Sequence, residues 1–591
     1  MHGAGSELYC FNLARALARR HDVSLFFTEV DHARPQYSLR RLDYLGIPCY
    51  EAVNNHVYRT FEETYANPAM DRLFTTVLDE VRPDVLHVHH LLHHSINYLH
   101  IARRRGLPVV FTLHDYWLSC PNLGQRMRAD LEVCHEVDPG QCADCIGRFG
   151  GGRASFLLSR AASRFVGLWS SSGYSLLDRL PAARLSPAAG VRADRLAVAG
   201  DARDALVAPA PSRVGFDVHA PEGSRLQFGV AVGPEAGEGD EGVLLEVEAD
   251  GRTIWSRALE GRPSARAWAD AEVLLPAPAN GHLRLDLVTR PANGGPSGGA
   301  GWSGLRVRVP DGVQARVAPV KGVYRAALRL LSPDGHDARR ARVEERLRHV
   351  REAVAHVDLF VAPSPFLARE MRAFGLPAAR LEESDYGLPT ERFAAFARRP
   401  ERWLRFGYVG TLAPHKGVHL LIEAFRRLRP AGGRPAPVLR VHGNLTWFPA
   451  YCARLRRLAE GAAVEFLGEF DNRRAAEVYA GFDVLVVPSL WWENAPLTIH
   501  EASLTGTPVV AADFGGMADF VTPGRNGLLF RRADASDLAR QMQAFVDDPA
   551  LLSRLGQPVF PVKGIEEDAA NLERRYAALL GARSESRAAA L

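Results

Sequence analysis

The chain has 591 residues, 47% of them hydrophobic and 24% charged, with a formal net charge of +4. That length exceeds one hydrophobic core and, at about 150 residues per domain, suggests three or four domains. So small a charge argues against nucleic acid as a partner, and no apolar run approaches the ~20 residues that cross a bilayer, so the expected location is cytoplasmic.

The start, MHGAGSE, reads as a glycine loop joining a first strand to a first helix, with Gly3 and Gly5 as its glycines, yet no strand precedes it. A doubly wound sheet places its first strand centrally, so its loss leaves neighbouring strands without a partner. From Ser6 to Arg20 the apolar residues Tyr9, Leu13 and Leu17 form a helical stripe behind a serine cap. Short apolar runs follow at 22–27, 84–90 and 108–115, separated by helical segments, the pattern of a parallel sheet in a first α/β domain that begins over 1–189. The run from His87 to His100 holds six histidines. His87 and His89 alternate on a strand, which argues for a lining of the cleft by His89 or His90 rather than for a metal centre.

The strand that ends in Thr112-Leu113-His114-Asp115-Tyr116-Trp117 brings polar and aromatic side chains to its carboxyl edge, where α/β sheets place ligands. The loop after it carries Cys120, Cys134, Cys142 and Cys145. Two of these form a Cys-x2-Cys pair, so a structural zinc held by all four is one reading and buried free thiols the other.

From about 190 to 310 the period changes to two. Leu226/Phe228/Val230/Val232, Val243/Leu245/Val247, Leu283/Leu285/Leu287 and Leu305/Val307/Val309 alternate with polar neighbours. An antiparallel β-sandwich inserted into the first α/β domain is expected there, with Trp255, Trp268 and Trp302 either in its core or stacked on sugar rings. The host domain resumes over 311–395. The strands LRFGYVG, VLRVHG, AVEFLG, DVLVVPS, PVVAAD and NGLLF then build a second α/β domain over 396–565, and 566–591 supplies a helix that packs back toward the first domain.

Within that last domain, Pro496 marks a helix start. Glu493 lies in the loop before it and Glu501 one to two turns inside, about 10 Å away at ~1.5 Å per residue, so the two carboxylates do separate jobs. The free N–H groups at the helix end suit a phosphate. A second phosphate element is Gly410-Thr411-Leu412-Ala413-Pro414-His415-Lys416-Gly417, again between strand and helix. Only Lys321, Lys416 and Lys563 among 72 basic residues are lysine, so Lys416 at this position argues for function.

The segments VGTLAPHKG at 409–417, FLGEF at 466–470, PSLWWENAPLTIHEA at 488–502 and DFGGMADFVTPGRNGLLF at 513–530 resemble the family 4 retaining glycosyltransferases, with two Rossmann-like domains in the GT-B arrangement. The likeness extends to HGAGSELYCFNLARALARRHDV, TLHDYW and VDLFVAPS but not to the sandwich. It implies that Glu501 binds the ribose of a nucleoside-diphosphate sugar, that Glu493 meets the donor sugar near its reacting carbon, and that Lys416 stabilises the leaving diphosphate. Gly3, Gly5, Gly410, Thr411 and the segment Asn494, Ala495, Pro496, Leu497 and Thr498 would complete donor binding. His114 would face donor or acceptor across the cleft.

Thr411 stands where many relatives have arginine, and His415 replaces that charge only if protonated. The resemblance implies transfer with retention of configuration, no cofactor for catalysis, and a glycan, lipid-linked or small acceptor that brings the protein to the inner face of the membrane. A rival reading is a non-catalytic glycan-binding or assembly protein derived from such an enzyme, with the sandwich as its binding module.

Overall fold

The computed structural model describes residues 5–30, 35–44, 46–128, 130–146, 156–157, 160, 174–186, 190–198, 201–220, 224–232, 242–260, 268–276, 282–292, 299–308, 335–394, 396–398, 402–430, 435–445, 447–470 and 472–589. Gly3, Val309 and Lys321 lie outside them. Two compact units divide the chain: 1–42, 47–164 and 322–591 form one, 43–46 and 165–321 the other.

Among the described residues the first unit contains three sheets. Leu25–Glu29, Ile47–Val53 and Leu39–Tyr44 form a small one, with Ile47–Val53 in the middle. A parallel four-stranded sheet runs in the order Leu381–Glu383, Leu359–Ala362, Val109–Thr112 and Leu86–Val88. Among the described residues, Leu25–Glu29 and Leu86–Val88 are edges of two different sheets. Between them in sequence runs the helix Pro68–Val81, and after Leu86–Val88 comes Asn97–Arg104.

The C-terminal sheet is six-stranded and parallel, in the order Val464–Gly468, Val438–His442, Arg405–Val409, Val484–Val487, Val509–Ala512, Gly527–Phe530. Numbered within this sheet the order is 3-2-1-4-5-6, which reverses direction between Arg405–Val409 and Val484–Val487. Loops leaving the carboxyl ends of those two strands meet at this switch point, with the Leu490 N–H donating to the His415 carbonyl at 2.8 Å, and a switch point is where such sheets bind ligands. Those loops are GTLAPHKG and PSLWWENAP. The helix Ile565–Ala589 closes the unit against Gly5–Leu17, with ion pairs from Arg19 to Glu566 and Arg20 to Glu573, each 3.0 Å.

Among the described residues the second unit contains two antiparallel sheets. One has five strands, ordered Arg252–Leu259, Val243–Ala249, His282–Pro291, Ser212–His219, Arg184–Ser186. The other orders Ala269–Leu274, Arg225–Val232, Ala300–Arg308, Asp201–Ala208 and Arg192–Val198, with Tyr174–Ser175 also paired to Ala300–Arg308. Its core contains the alternating residues of the sequence pattern, Leu226, Phe228, Val230, Leu245, Leu285 and Val307 among them. Trp302 is fully buried and donates to Thr289, Trp255 packs edge-on against Phe228, and Trp268 lies under Arg203. Core packing therefore occupies Trp302 and Trp255. No helix among the described residues is long and apolar enough to cross a membrane.

Candidate active site

Glycine sets how closely the site loops approach. Gly417 has φ +73°, and a Cβ there would stand 2.0 Å from the Pro488 carbonyl oxygen, so only glycine lets the Lys416 loop lie on the Pro488 loop. Gly516 does the same on the other side: its N–H donates to the Glu493 carbonyl at 2.7 Å, and a Cβ would stand 1.6 Å from the Asn494 carbonyl oxygen. The segment 488–496 is thus clamped between two glycine loops.

The clamp brings Lys416 and Glu493 together. Lys416 Nζ is 2.6 Å from Glu493 Oε1, and Ser489 donates to the same oxygen at 2.5 Å. Burial pushes the Glu493 carboxyl upward, but the Lys416 ammonium and these hydrogen bonds outweigh it and hold the group below its ordinary range. Lys416 also lies 4.8 Å from the centroid of the Trp491 ring. Three residues on, the helix Leu497–Leu504 begins with Pro496 as its cap residue rather than in its first turn, and no side chain caps that end. Gly5, opening its own helix, has Leu497 as the nearest side chain at 3.5 Å from its would-be Cβ.

Glu501 has a different partner. Tyr479 Oη lies 2.8 Å from its carboxylate and 2.9 Å from the Thr498 carbonyl. Burial raises the Glu501 carboxyl to about 7 against the opposing effect of the Tyr479 hydrogen bond. Glu493 is therefore a carboxylate at neutral pH while Glu501 is poised between its two forms.

Toward the first domain, the Asn494 amide donates to the His114 carbonyl. Asn494 is buried, and its Oδ1 has no hydrogen-bond partner among the described residues. The His114 ring is engaged at both nitrogens, Nδ1 with Tyr386 Oη at 2.6 Å and Nε2 with His89 Nδ1 at 3.0 Å. Burial, reinforced by His89 and His90, keeps it neutral. His90 instead pairs with Asp115 at 2.7 Å, which outweighs burial and raises its pKa. His500, inside the Leu497–Leu504 helix, is fixed between the Pro496 carbonyl and Asp385.

His415 does not replace the absent arginine. Burial and then Lys416 lower it to about 4, so it is neutral at physiological pH, and beside it Thr411 carries no charge. Lys416 is the cation of this loop.

Cys120, Cys134, Cys142 and Cys145 line one cavity of about 20 Å³, and all are free thiols. Burial, then the neighbouring cysteines, pushes the Cys142 thiol up to about 12. Among the described residues no three His, Cys, Asp or Glu side chains are set to hold a metal ion. The four sulfurs share a cavity without forming the tetrahedral ligand set that their spacing suggests.

Ser489, Tyr479, Asp385, His500 and the Gly515-Gly516 pair join the site beyond the residues singled out from sequence. Ser489 and the two glycines sit inside segments already recognised by resemblance; Tyr479 and Asp385 carry no local signal.

A six-stranded parallel sheet of order 3-2-1-4-5-6 beside a second parallel sheet has the two-Rossmann-domain architecture of the GT-B class of glycosyltransferases. The profile described as Glycosyl transferases group 1 matches residues 390–558 and that described as Glycosyltransferase Family 4 matches residues 3–133; the chain belongs to these group 1/family 4 glycosyltransferases. A D-inositol 3-phosphate glycosyltransferase of Stackebrandtia nassauensis is 35% identical over 176 residues, 28% of this chain and 40% of that protein. A glycogen synthase of Mycobacterium tuberculosis is 31% identical over 182 residues, 31% of this chain and 43% of that protein. The chain thus spans less than half the length of these curated relatives. The catalytic domain of starch synthase IV from Arabidopsis thaliana, solved with ADP and acarbose, aligns over 98% of this chain and 96% of its own at 14% identity, with a TM-score of 0.43.

Proposed function

We propose that the protein transfers a sugar from a nucleoside-diphosphate sugar to a glycan, lipid-linked or small-molecule acceptor with retention of anomeric configuration. The observation that carries this reading is the Lys416–Glu493 pair, 2.6 Å apart, standing before the uncapped start of the Leu497–Leu504 helix. When donor enters, the diphosphate takes the place of Glu493 at the Lys416 ammonium and accepts from the helix-end N–H groups. Glu493, released, and the unpartnered Asn494 Oδ1 accept from hydroxyls of the donor sugar. Glu501 holds the ribose, and Gly5, Gly410, Thr411, Ala495 to Thr498 shape the backbone around the phosphates.

The bond from the anomeric carbon to the diphosphate oxygen breaks with its electron pair going to that oxygen, which Lys416 stabilises. The acceptor hydroxyl bonds to the carbon on the same face, and its proton passes to the departing phosphate. His114 acts through position: neutral and held at both nitrogens, it orders the Asn494 side of the cleft instead of delivering a proton. A cytoplasmic site, peripheral at the inner membrane face when the acceptor is a lipid, and a role in cell-envelope polysaccharide synthesis go with such a donor.

A structural zinc on Cys120, Cys134, Cys142 and Cys145 belongs to the same reading and would brace the loop between Asp115 and Ile146. The thiols would have to draw together to hold it. Elemental analysis of the purified protein decides between zinc and free thiols: about one zinc per chain is the stoichiometry of a closed four-ligand site, and a metal-free, fully folded protein removes the zinc.

Incubation with UDP-, GDP- and ADP-linked hexoses, followed by NMR of the released sugar, tests the function. Slow hydrolysis that first yields the donor's own anomer is expected, and Glu493→Ala should abolish it without unfolding the chain. Hydrolysis at an unchanged rate in Glu493→Ala removes that carboxylate from the reaction.

A further inference from the structure

Trp492 comes from a loop of the C-terminal sheet, yet apart from Phe514, 5.8 Å away between ring centroids, the rings and the cation around its indole belong to the other domain. It is 4% exposed and is packed into the core around Phe111, Leu113 and Tyr116 of the first domain. Tyr116, His135 and Phe366 meet its ring edge-on at 5.8, 5.5 and 5.4 Å between centroids. The Arg126 guanidinium lies over the ring, 4.4 Å from its centroid.

Arg126 is itself immobilised. It pairs with Glu370 at 2.6 Å and donates to the carbonyls of Cys134 at 3.0 Å and His135 at 2.5 Å, while its backbone N–H points to Cys120 Sγ at 3.3 Å. A hydrogen-bonded guanidinium on the indole is a fixed electrostatic seat, since cation–π attraction strengthens away from water. One residue on is Glu493, and one further is Asn494, whose amide is tied to the His114 carbonyl. Both flanks of Glu493 are therefore anchored in the loop that follows the Val109–Thr112 strand.

We infer that Arg126 and Trp492 are positioning residues: the acceptor-side loop 115–135, by seating the indole, sets the backbone that presents Glu493 to Lys416. The inference rests on the donor-site reading above and adds a dependence to it. Donor activation requires the acceptor-side loop to be docked, so a loosened loop slows transfer while nucleotide binding, which uses Lys416, Glu501 and the helix end, persists.

Two readouts test it on the full chain. Hydrogen–deuterium exchange of peptides covering 488–496 should speed up at least tenfold in Arg126→Met, a substitution made in the other domain, while peptides of the Arg405–Val409 and Val438–His442 strands keep their protection. Trp492→Phe, which keeps an aromatic ring, should recover most of what Trp492→Leu loses, and in Trp492→Leu kcat should fall at least thirtyfold with the Kd for UDP or GDP within threefold of wild type. Unchanged exchange over 488–496 in Arg126→Met overturns the anchor whatever the activity, and so does wild-type kcat in Trp492→Leu. Should Arg126→Met fail to fold, Arg126→Lys, which keeps the charge but not the fork, carries the same exchange measurement. Absence of nucleotide binding in the wild type is the separate signature that the donor-site reading, rather than the anchor, has failed.

Discussion

Two glutamates eight positions apart in sequence meet opposite electrostatic surroundings. Glu493 faces an ammonium and stays charged; Glu501 faces a phenol, and burial lifts it to about 7. With the folded pKa above the ordinary 4.5, the folded chain keeps a proton that the unfolded chain has lost between those values. The resulting stability is complete below that window and disappears as pH rises through about 7. Glu501→Gln, which cannot ionise, should therefore show a smaller fall in Tm between pH 6 and 8 than the wild type in thermal melts without ligand. Nucleotide binding has the reverse dependence, because ribose hydroxyls donate to the carboxylate form: wild-type affinity should weaken several-fold from pH 8 to pH 6. Equal pH profiles in wild type and Glu501→Gln would remove the residue from the ribose contact.

At the scale of elements, the site is made by loops at a switch point, and their closeness depends on the absence of a Cβ. Gly516→Ala should displace the Glu493–Asn494 backbone and cost about 1–3 kcal/mol, the range for overpacking. Gly461→Ala is the contrast, since its φ of +72° is unusual but open space surrounds it; about 1 kcal/mol of backbone strain and unaltered activity are expected. Chemical denaturation with a parallel activity assay separates the two, and equal losses would contradict the clamp.

What could be read in the sequence follows the same division. Alternation in 226–309 and the apolar runs of 405–530 are local patterns, and a local pattern reports its own strand. The lysine loop and the Pro496 helix start were legible because each is a contiguous segment. Arg126 on Trp492, Tyr386 on His114 and Asp385 on His500 join positions far apart in the chain, where no periodicity reports a partner. The cysteine spacing suggested a zinc site or buried thiols; the four side chains line one cavity, and spacing carries no information about where a sulfur points.

Over the larger unit, the chain ends by crossing back to its beginning. Asp568, almost fully buried, accepts from Tyr9 Oη at 2.8 Å, from Lys563 Nζ at 2.6 Å and from the Gly387 N–H at 3.1 Å, while Tyr576 Oη reaches His87 Nδ1 at 2.6 Å. One carboxylate thereby ties the first helix, the crossover at 384–389 and the last helix. Asp568→Ala leaves a mostly buried ammonium and a buried phenol without that acceptor, a loss of about 3–5 kcal/mol on the scale of a broken buried pair. A Tm within a degree of wild type would show that the tie is not needed.

A diphosphate held at the mouth of the Leu497–Leu504 helix by Lys416 is what donor binding requires. Calorimetric titration with UDP, GDP and ADP addresses that directly. One site per chain for at least one nucleotide is expected, with affinity reduced tenfold or more in Lys416→Ala; no binding of any nucleotide, or equal affinity in Lys416→Ala, would contradict it.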